Sequence, residues 1–355
     1  MSIRPGATKK RGLRERLADG AVLCAEGYLF ELERRGYLQA GAYVPEVVLD
    51  HPEAVAQLHR EFVRAGSDVV EAFTYYGHRA KLRLIGKEDK LEALQRDALR
   101  IAGAVAAESP GEPPLVSGNV SNTTVYEPGN AAVAAEVRAM FDEQVAWAAE
   151  AGVDMVIAET FSFHGEAMLA LESIKRAGLP AVVTFAVHLE GLRDGVPLAR
   201  SAQELEQAGA DVVGLNCARG PATMLPLLRQ VREAVACPVA ALPVPYRTTA
   251  EHATFQSLRD PACDCLPDGR PFPTALDPFV CNRYEMAAFA RSAVEMNVRY
   301  IGVCCGGAPH HVRSMAEALG RSPEASRYSP DMSKHYAFGS DPRLQQHNRD
   351  YTSKL

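Results

Sequence analysis

No run of about 18 apolar residues occurs in the 355-residue sequence, so no segment reads as a membrane span. The N-terminus is basic through Lys9, Lys10 and Arg11, but no apolar stretch follows it, so it does not read as a secretory signal. Glu15 and Asp19 soon interrupt the basic pattern a transit peptide would keep, and a cytoplasmic protein is expected. Positive charge is not in excess: 38 Lys and Arg against 44 Asp and Glu give a net charge of −6, which argues against non-specific nucleic-acid binding. Eight cysteines are too few for a disulfide scaffold, so in a reducing compartment they are core thiols, reactive thiols or metal ligands. With 47% hydrophobic and 23% charged residues, the chain has the composition of a folded globular protein.

What the chain does have is a recurring junction. An amphipathic helical stretch ends in Ala-Gly, and an apolar β-branched run follows. The junctions Ala65-Gly66, Ala151-Gly152, Ala177-Gly178 and Ala208-Gly209 lead into runs at 68–73, 154–159, 181–185 and 211–217, and Asn297 precedes a fifth at 299–304. Gly or Asn at that place supplies the left-handed residue that closes a helix. The runs are continuously apolar, as strands buried on both faces must be. Three further runs, Ala21 to Ala25, Pro114 to Val120 and Pro238 to Val244, bring the strands to eight. Between them lie helical patterns, such as the apolar spacing of Val55, Leu58, Phe62 and Val63. Eight βα units predict a single α/β domain, a (β/α)8 TIM barrel, over residues 1–320. A doubly wound sheet would carry a Gly-rich turn after its first strand, and none is present. Residues 246–283 form a long Pro-, Cys- and Asp-rich connection before strand eight, of the kind that serves function or packs on a neighbour. Residues 321–355 form a polar C-terminal tail, expected to contact another subunit of a homo-oligomer or to be partly mobile.

In such barrels the chemistry sits at the carboxyl ends of the strands. Strand six delivers Asn216-Cys217 there, and strand eight delivers Cys304-Cys305-Gly306-Gly307. Three thiolates suit a soft cation, and Zn2+ on three sulfurs keeps a fourth position open for chemistry. Neighbouring residues of a regular strand point to opposite faces, so a metal shared by Cys304 and Cys305 requires a bend, which Gly306 and Gly307 permit. The same glycines have a second reading, a phosphate cradle ahead of a helix. Cys263 and Cys265, one residue apart in the long loop, could clasp a second metal, while Cys24, Cys237 and Cys281 read as ordinary thiols. Two rim carboxylates, Glu26 and Glu159, suit recognition of a substrate ammonium. Tyr28, Tyr43, Phe73, Tyr75, Tyr76 and Phe161 gather at the same rim, where tyrosines can cage a cationic methyl donor. No lysine lies in any of the eight strands, which argues against a Schiff-base aldolase.

These residues resemble the zinc-dependent homocysteine S-methyltransferases, and within them the betaine–homocysteine branch. The resemblance is carried by Phe30-Glu31-Leu32-Glu33-Arg34-Arg35-Gly36-Tyr37, by His51-Pro52-Glu53-Ala54-Val55 and the residues that follow, by Phe73-Thr74-Tyr75-Tyr76, by Ile157-Ala158-Glu159, by Gly214-Leu215-Asn216-Cys217 and by Val303-Cys304-Cys305-Gly306. It implies Zn2+ on Cys217, Cys304 and Cys305, with homocysteine sulfur in the fourth position and no catalytic side chain beyond the zinc-activated thiol. It further implies that Glu26, beside Gly27, and Glu159 hold the amino group, and that Tyr43 and Tyr76 face a small onium donor. On the donor side the chain departs from the betaine pattern at Tyr43, Thr160 and Leu242, so either Arg247 offers a replacement fork for a donor carboxylate or the donor is a sulfonium. The alternatives are a metal- or phosphate-dependent barrel lyase and an inert zinc-binding homologue.

Overall fold

The computed structural model describes residues 10–189, 191–264, 266–344, 346–352 and 354. Eight strands alternate with helices: β1 Val22–Ala25, β2 Val69–Glu71, β3 Leu115–Ser121, β4 Met155–Phe161, β5 Ala181–Phe185, β6 Val212–Asn216, β7 Val239–Leu242 and β8 Tyr300–Val303. Their order in the sheet is β1-β8-β7-β6-β5-β4-β3-β2, and every pairing is parallel. The sheet curls into a nearly closed (β/α)8 barrel. The seam between β1 and β2 is stitched by Asp68, whose backbone N–H donates to Leu23 O at 2.7 Å and whose Oδ2 accepts the Leu23 N–H at 2.7 Å.

The strands form because their apolar runs have interior on one side and helices on the other. All residues of β4, β5 and β6 are buried. The helix Pro52–Ala65 buries Val55, Leu58 and Phe62, as its spacing requires, and Pro at its first position suits the helix start. The predicted junctions hold: Gly66, Gly152, Gly178, Gly209 and Asn297 all have positive φ. The aspartates two residues beyond three of those glycines have a clear use. Besides Asp68, Asp154 Oδ2 accepts the Val116 N–H at 2.6 Å and Asp211 Oδ2 accepts the Ala181 N–H at 2.9 Å. Each aspartate at this end of the barrel also meets a cation: Arg321 with Asp68 at 2.6 Å, Lys10 with Asp154 at 2.6 Å, and Arg14 with Asp211 at 2.5 Å.

Beyond the helix Pro309–Ala318 the chain forms short 3-10 turns and a last helix, Gln346–Thr352. It is tied to the barrel by Arg321 and by an Arg64–Glu324 pair at 3.0 Å, and it exposes Tyr328, Met332, Tyr336, Phe338 and Tyr351. Among the described residues no helix is long and apolar enough to cross a membrane.

Candidate active site

The end of β7 brings the cysteines together. Strand β7 lies between β6 and β8. Just past its neighbours, the Cys217 N–H donates to Leu242 O and the Cys304 N–H to Pro243 O, both at 3.0 Å. Strand β8 stops at Val303, and a turn closed by the Gly307 N–H on Cys304 O swings Cys304 and Cys305 to one side. Gly306 makes that turn at φ +85°, where a Cβ would lie 2.2 Å from the Tyr246 hydroxyl. The result is a trio of thiols whose sulfurs lie within 4.8 Å of one another and could hold a metal ion. Cys217 Sγ stands 3.7 Å from Cys305 Sγ, and Cys304 Sγ 4.0 Å from Cys305 Sγ. Hydrogen bonding to Cys304 and Cys305 holds the Cys217 thiol well below the usual range, whereas burial pushes Cys304 up.

Beside the sulfurs lies a buried carboxylate network. Asn216 Nδ2 donates to Glu159 Oε2 (2.6 Å) and to Glu26 Oε2 (3.2 Å), and it reaches Cys304 Sγ at 3.7 Å. Asn119 Nδ2 donates to Glu159 Oε1 (2.7 Å) and also to Glu71 Oε1. Burial is the chief reason that Glu26 and Glu71 are pushed well above the usual carboxylate range, and it pushes Glu159 up to about 7. These acids line a small inner cavity of about 10 Å³.

A second, outer cavity of about 410 Å³ opens on the other side of the trio, within the size range of small-molecule sites. Cys217 and Cys305 line it, with Tyr43, Tyr76, Phe255 and Phe272 among its aromatic walls. Cys304 and Cys305 line the inner cavity, so the trio stands at the boundary between the two. Eight described non-glycine residues have positive φ, and six of them, Tyr43, Tyr76, Thr124, Thr160, Cys217 and Ala218, line this outer cavity. Each such residue costs about 1–3 kcal/mol, and strain of this kind gathers where function holds it.

A sequence model described as homocysteine S-methyltransferase matches residues 23–319. The chain belongs to the homocysteine S-methyltransferase family. It is 37% identical over 365 residues to betaine–homocysteine S-methyltransferase 1 of Xenopus tropicalis, covering 98% of this chain and 86% of that one. It is 35% identical over 344 residues to S-methylmethionine–homocysteine S-methyltransferase BHMT2 of Mus musculus, covering 94% and 88%. The metallated form of the homocysteine methyltransferase MmuM from Escherichia coli superposes with a TM-score of 0.68 at 20% identity, covering 86% of this chain and 99% of that one, which shows a shared fold.

Membership of this homocysteine methyltransferase family sets the lyase alternative aside. The geometry agrees with that outcome. Gly306 and Gly307 have close packing to explain them, and the Ala308 N–H at the next helix start is taken by His311 Nδ1 at 3.2 Å. The expected residues fall in different places. Cys217, Cys304, Cys305, Glu26 and Glu159 converge, and Tyr43 and Tyr76 stand on the outer wall. Gly27 lines neither cavity: a Cβ there would lie 2.2 Å from Gly307 O, so it allows two turns to touch. Tyr28 lies at the inner cavity, stacked edge-on with His59 and Phe62, and Phe161 is core. Leu242 is buried in the strand, while Thr160 bonds Glu159 Oε2 through its hydroxyl at 2.9 Å. Arg247 is not brought to the cavity wall; it is exposed and paired twice with Glu285 at 2.7 Å. The arginine that does line the outer cavity is Arg193, with its guanidinium 4.9 Å from the centre of the Phe163 ring. Cys263 is half-buried in the long loop, and Cys265 lies outside the described residues.

Several site residues were not singled out from sequence. Glu71 ends β2, and a lone carboxylate in an apolar strand was the available sign of it. Asn216, at the end of β6, is legible as a position, but neither it nor Asn119, within β3, is legible as one of the two amides that grip Glu159. The long loop supplies Phe255, Gln256 and Phe272 to the outer wall, and no periodicity marks which of its residues turn inward.

Proposed function

We propose that Cys217, Cys304 and Cys305 hold one Zn2+ and that this chain moves a methyl group from a carboxylate-bearing onium donor to homocysteine. The carrying observation is the position of the sulfur trio between an acidic inner cavity and an aromatic outer one. The donor set fits the ion. Three sulfurs on one tetrahedral zinc, with bonds of about 2.3 Å, stand about 3.8 Å apart, close to the 3.7 and 4.0 Å spacings found. When bound, the zinc supplies an electron-rich, deprotonated substrate sulfur at neutral pH.

The residues of the chain do the rest by positioning. Glu26 and Glu159 take the ammonium of homocysteine, which fixes its sulfur end towards the trio. Asn216 joins both acids to Cys304 and so sets the one against the other. Tyr43 presents its ring to the onium group, and Tyr76, whose ring already meets Lys81 Nζ at 4.0 Å and Tyr75 at 4.3 Å, walls the same chamber. The sulfur electron pair forms the new S–C bond in line as the C–N or C–S bond of the donor breaks. The leaving amine or sulfide departs neutral, so no general acid is needed. Phe255 and Phe272 keep water from the path. Arg193 takes the donor carboxylate in place of Arg247.

Assays with homocysteine and betaine, dimethylsulfoniopropionate or S-methylmethionine, together with zinc analysis, test this reading. Turnover with at least one donor and one zinc per chain are expected; failure with all of them in zinc-loaded protein overturns it. Close thiols call for a reducing compartment, so we place the enzyme in the cytoplasm. A second copy of the chain covers the aromatic residues of the 321–355 tail; a truncation after residue 320 that leaves the oligomeric state unchanged overturns that assignment.

A further inference from the structure

We propose that Glu71 is a third carboxylate receiving the ammonium of the thiol substrate, with Asn119 as the residue that positions it. This rests on the methyl-transfer reading and adds a specificity determinant to it. Glu71 is 2% exposed at the end of β2. Its Oε1 shares the Asn119 amide with Glu159. Ligand oxygens of Glu71 and Glu26 lie within 4.8 Å of each other, and so do those of Glu26 and Glu159. The three acids therefore form one wall around the inner cavity, whose 10 Å³ is room for about a single water-sized group.

Acids alone would not make a site. Three polar atoms of residues lining this space are buried with no hydrogen-bond partner: Glu26 Oε1, Asn119 Oδ1 and the Tyr28 hydroxyl. No lysine, arginine or histidine is among the residues lining the cavity. Buried carboxylates without a cation are costly, and a cation arriving with a ligand would offset that cost. An ammonium has three N–H donors and no acceptor. With a carboxylate on each of three sides, every N–H can point at a separate acid. A primary amine is also small enough for this space, where a methylated onium is not, which keeps the donor out of the thiol's place.

The test uses full-length, zinc-loaded protein and two thiols, homocysteine and 4-mercaptobutanoate, which lacks the amine. In Glu71→Gln the preference in kcat/KM for homocysteine over 4-mercaptobutanoate should fall about ten- to a hundredfold, as expected for losing one charge-assisted hydrogen bond. The fall should be in KM, and calorimetry without donor should show the same weakening of homocysteine binding. Asn119→Ala, a second variant, should show a smaller fall in the same direction. An unchanged preference in folded Glu71→Gln overturns the proposal. So does a second divalent ion per chain in the wild type that Glu71→Gln loses, which would make this a metal site. Absence of wild-type turnover with either thiol counts instead against the methyl-transfer reading.

Discussion

The two ends of the barrel treat polar groups in opposite ways. At the amino ends of the strands, Asp68, Asp154 and Asp211 each satisfy a strand N–H and meet a cation. At the carboxyl ends, three buried acids face a cavity without a cation, polar atoms lack partners, and six side-chain-bearing residues hold left-handed backbone. The first end is arranged for stability. The second is arranged to be completed by ligands, as the fold's general division of labour predicts.

Substitutions can break or sharpen that contrast. The largest effect belongs to Cys217→Ala, which should lose zinc and lower turnover about a thousandfold or more; metal analysis alongside kinetics checks it, and full activity in metal-free protein contradicts it. Glu159→Ala should raise the KM for homocysteine about a hundredfold while the donor KM moves little; equal changes in both would remove Glu159 from the amine site. At the other end, Asp211→Ala strands the Ala181 N–H and should cost about 1–3 kcal/mol of stability, read by denaturant titration, with both KM values intact. Arg193→Ala should reduce the preference for dimethylsulfoniopropionate over trimethylsulfonium about tenfold, because only the first has a carboxylate. The smallest effect is at Thr124, a β-branched residue at φ 64° on the outer rim. Thr124→Asn should stabilise by about 0.5–1 kcal/mol, since Asn tolerates that backbone better; a thermal melt measures it.

The barrel was legible because the same junction recurs and because strands buried on both faces leave an apolar run that does not alternate. The thiol trio was legible because cysteines stand at the ends of strands that flank a common neighbour. What stayed hidden depends on three-dimensional choice. Arg247 and Arg193 are equivalent as residue types, but Glu285, far along the chain, claims Arg247 and leaves Arg193 on the cavity wall. Glu71 sits in an apolar strand, and only the barrel's curvature brings it beside Glu26. The long loop carried no pattern to show that Phe255 and Phe272 would close the outer chamber.

The stitched seam has a consequence of its own. Hydrogen-bonded ladders join seven neighbouring strand pairs, and β1 and β2 are the two ends of that chain of ladders. Glu26 follows one end and Glu71 terminates the other, so the gap that would grip an amine is also where the wall is least tightly woven. Asp68 holds the two edges together at one end of this slit, and an ammonium shared by Glu26 and Glu71 would join them at the other.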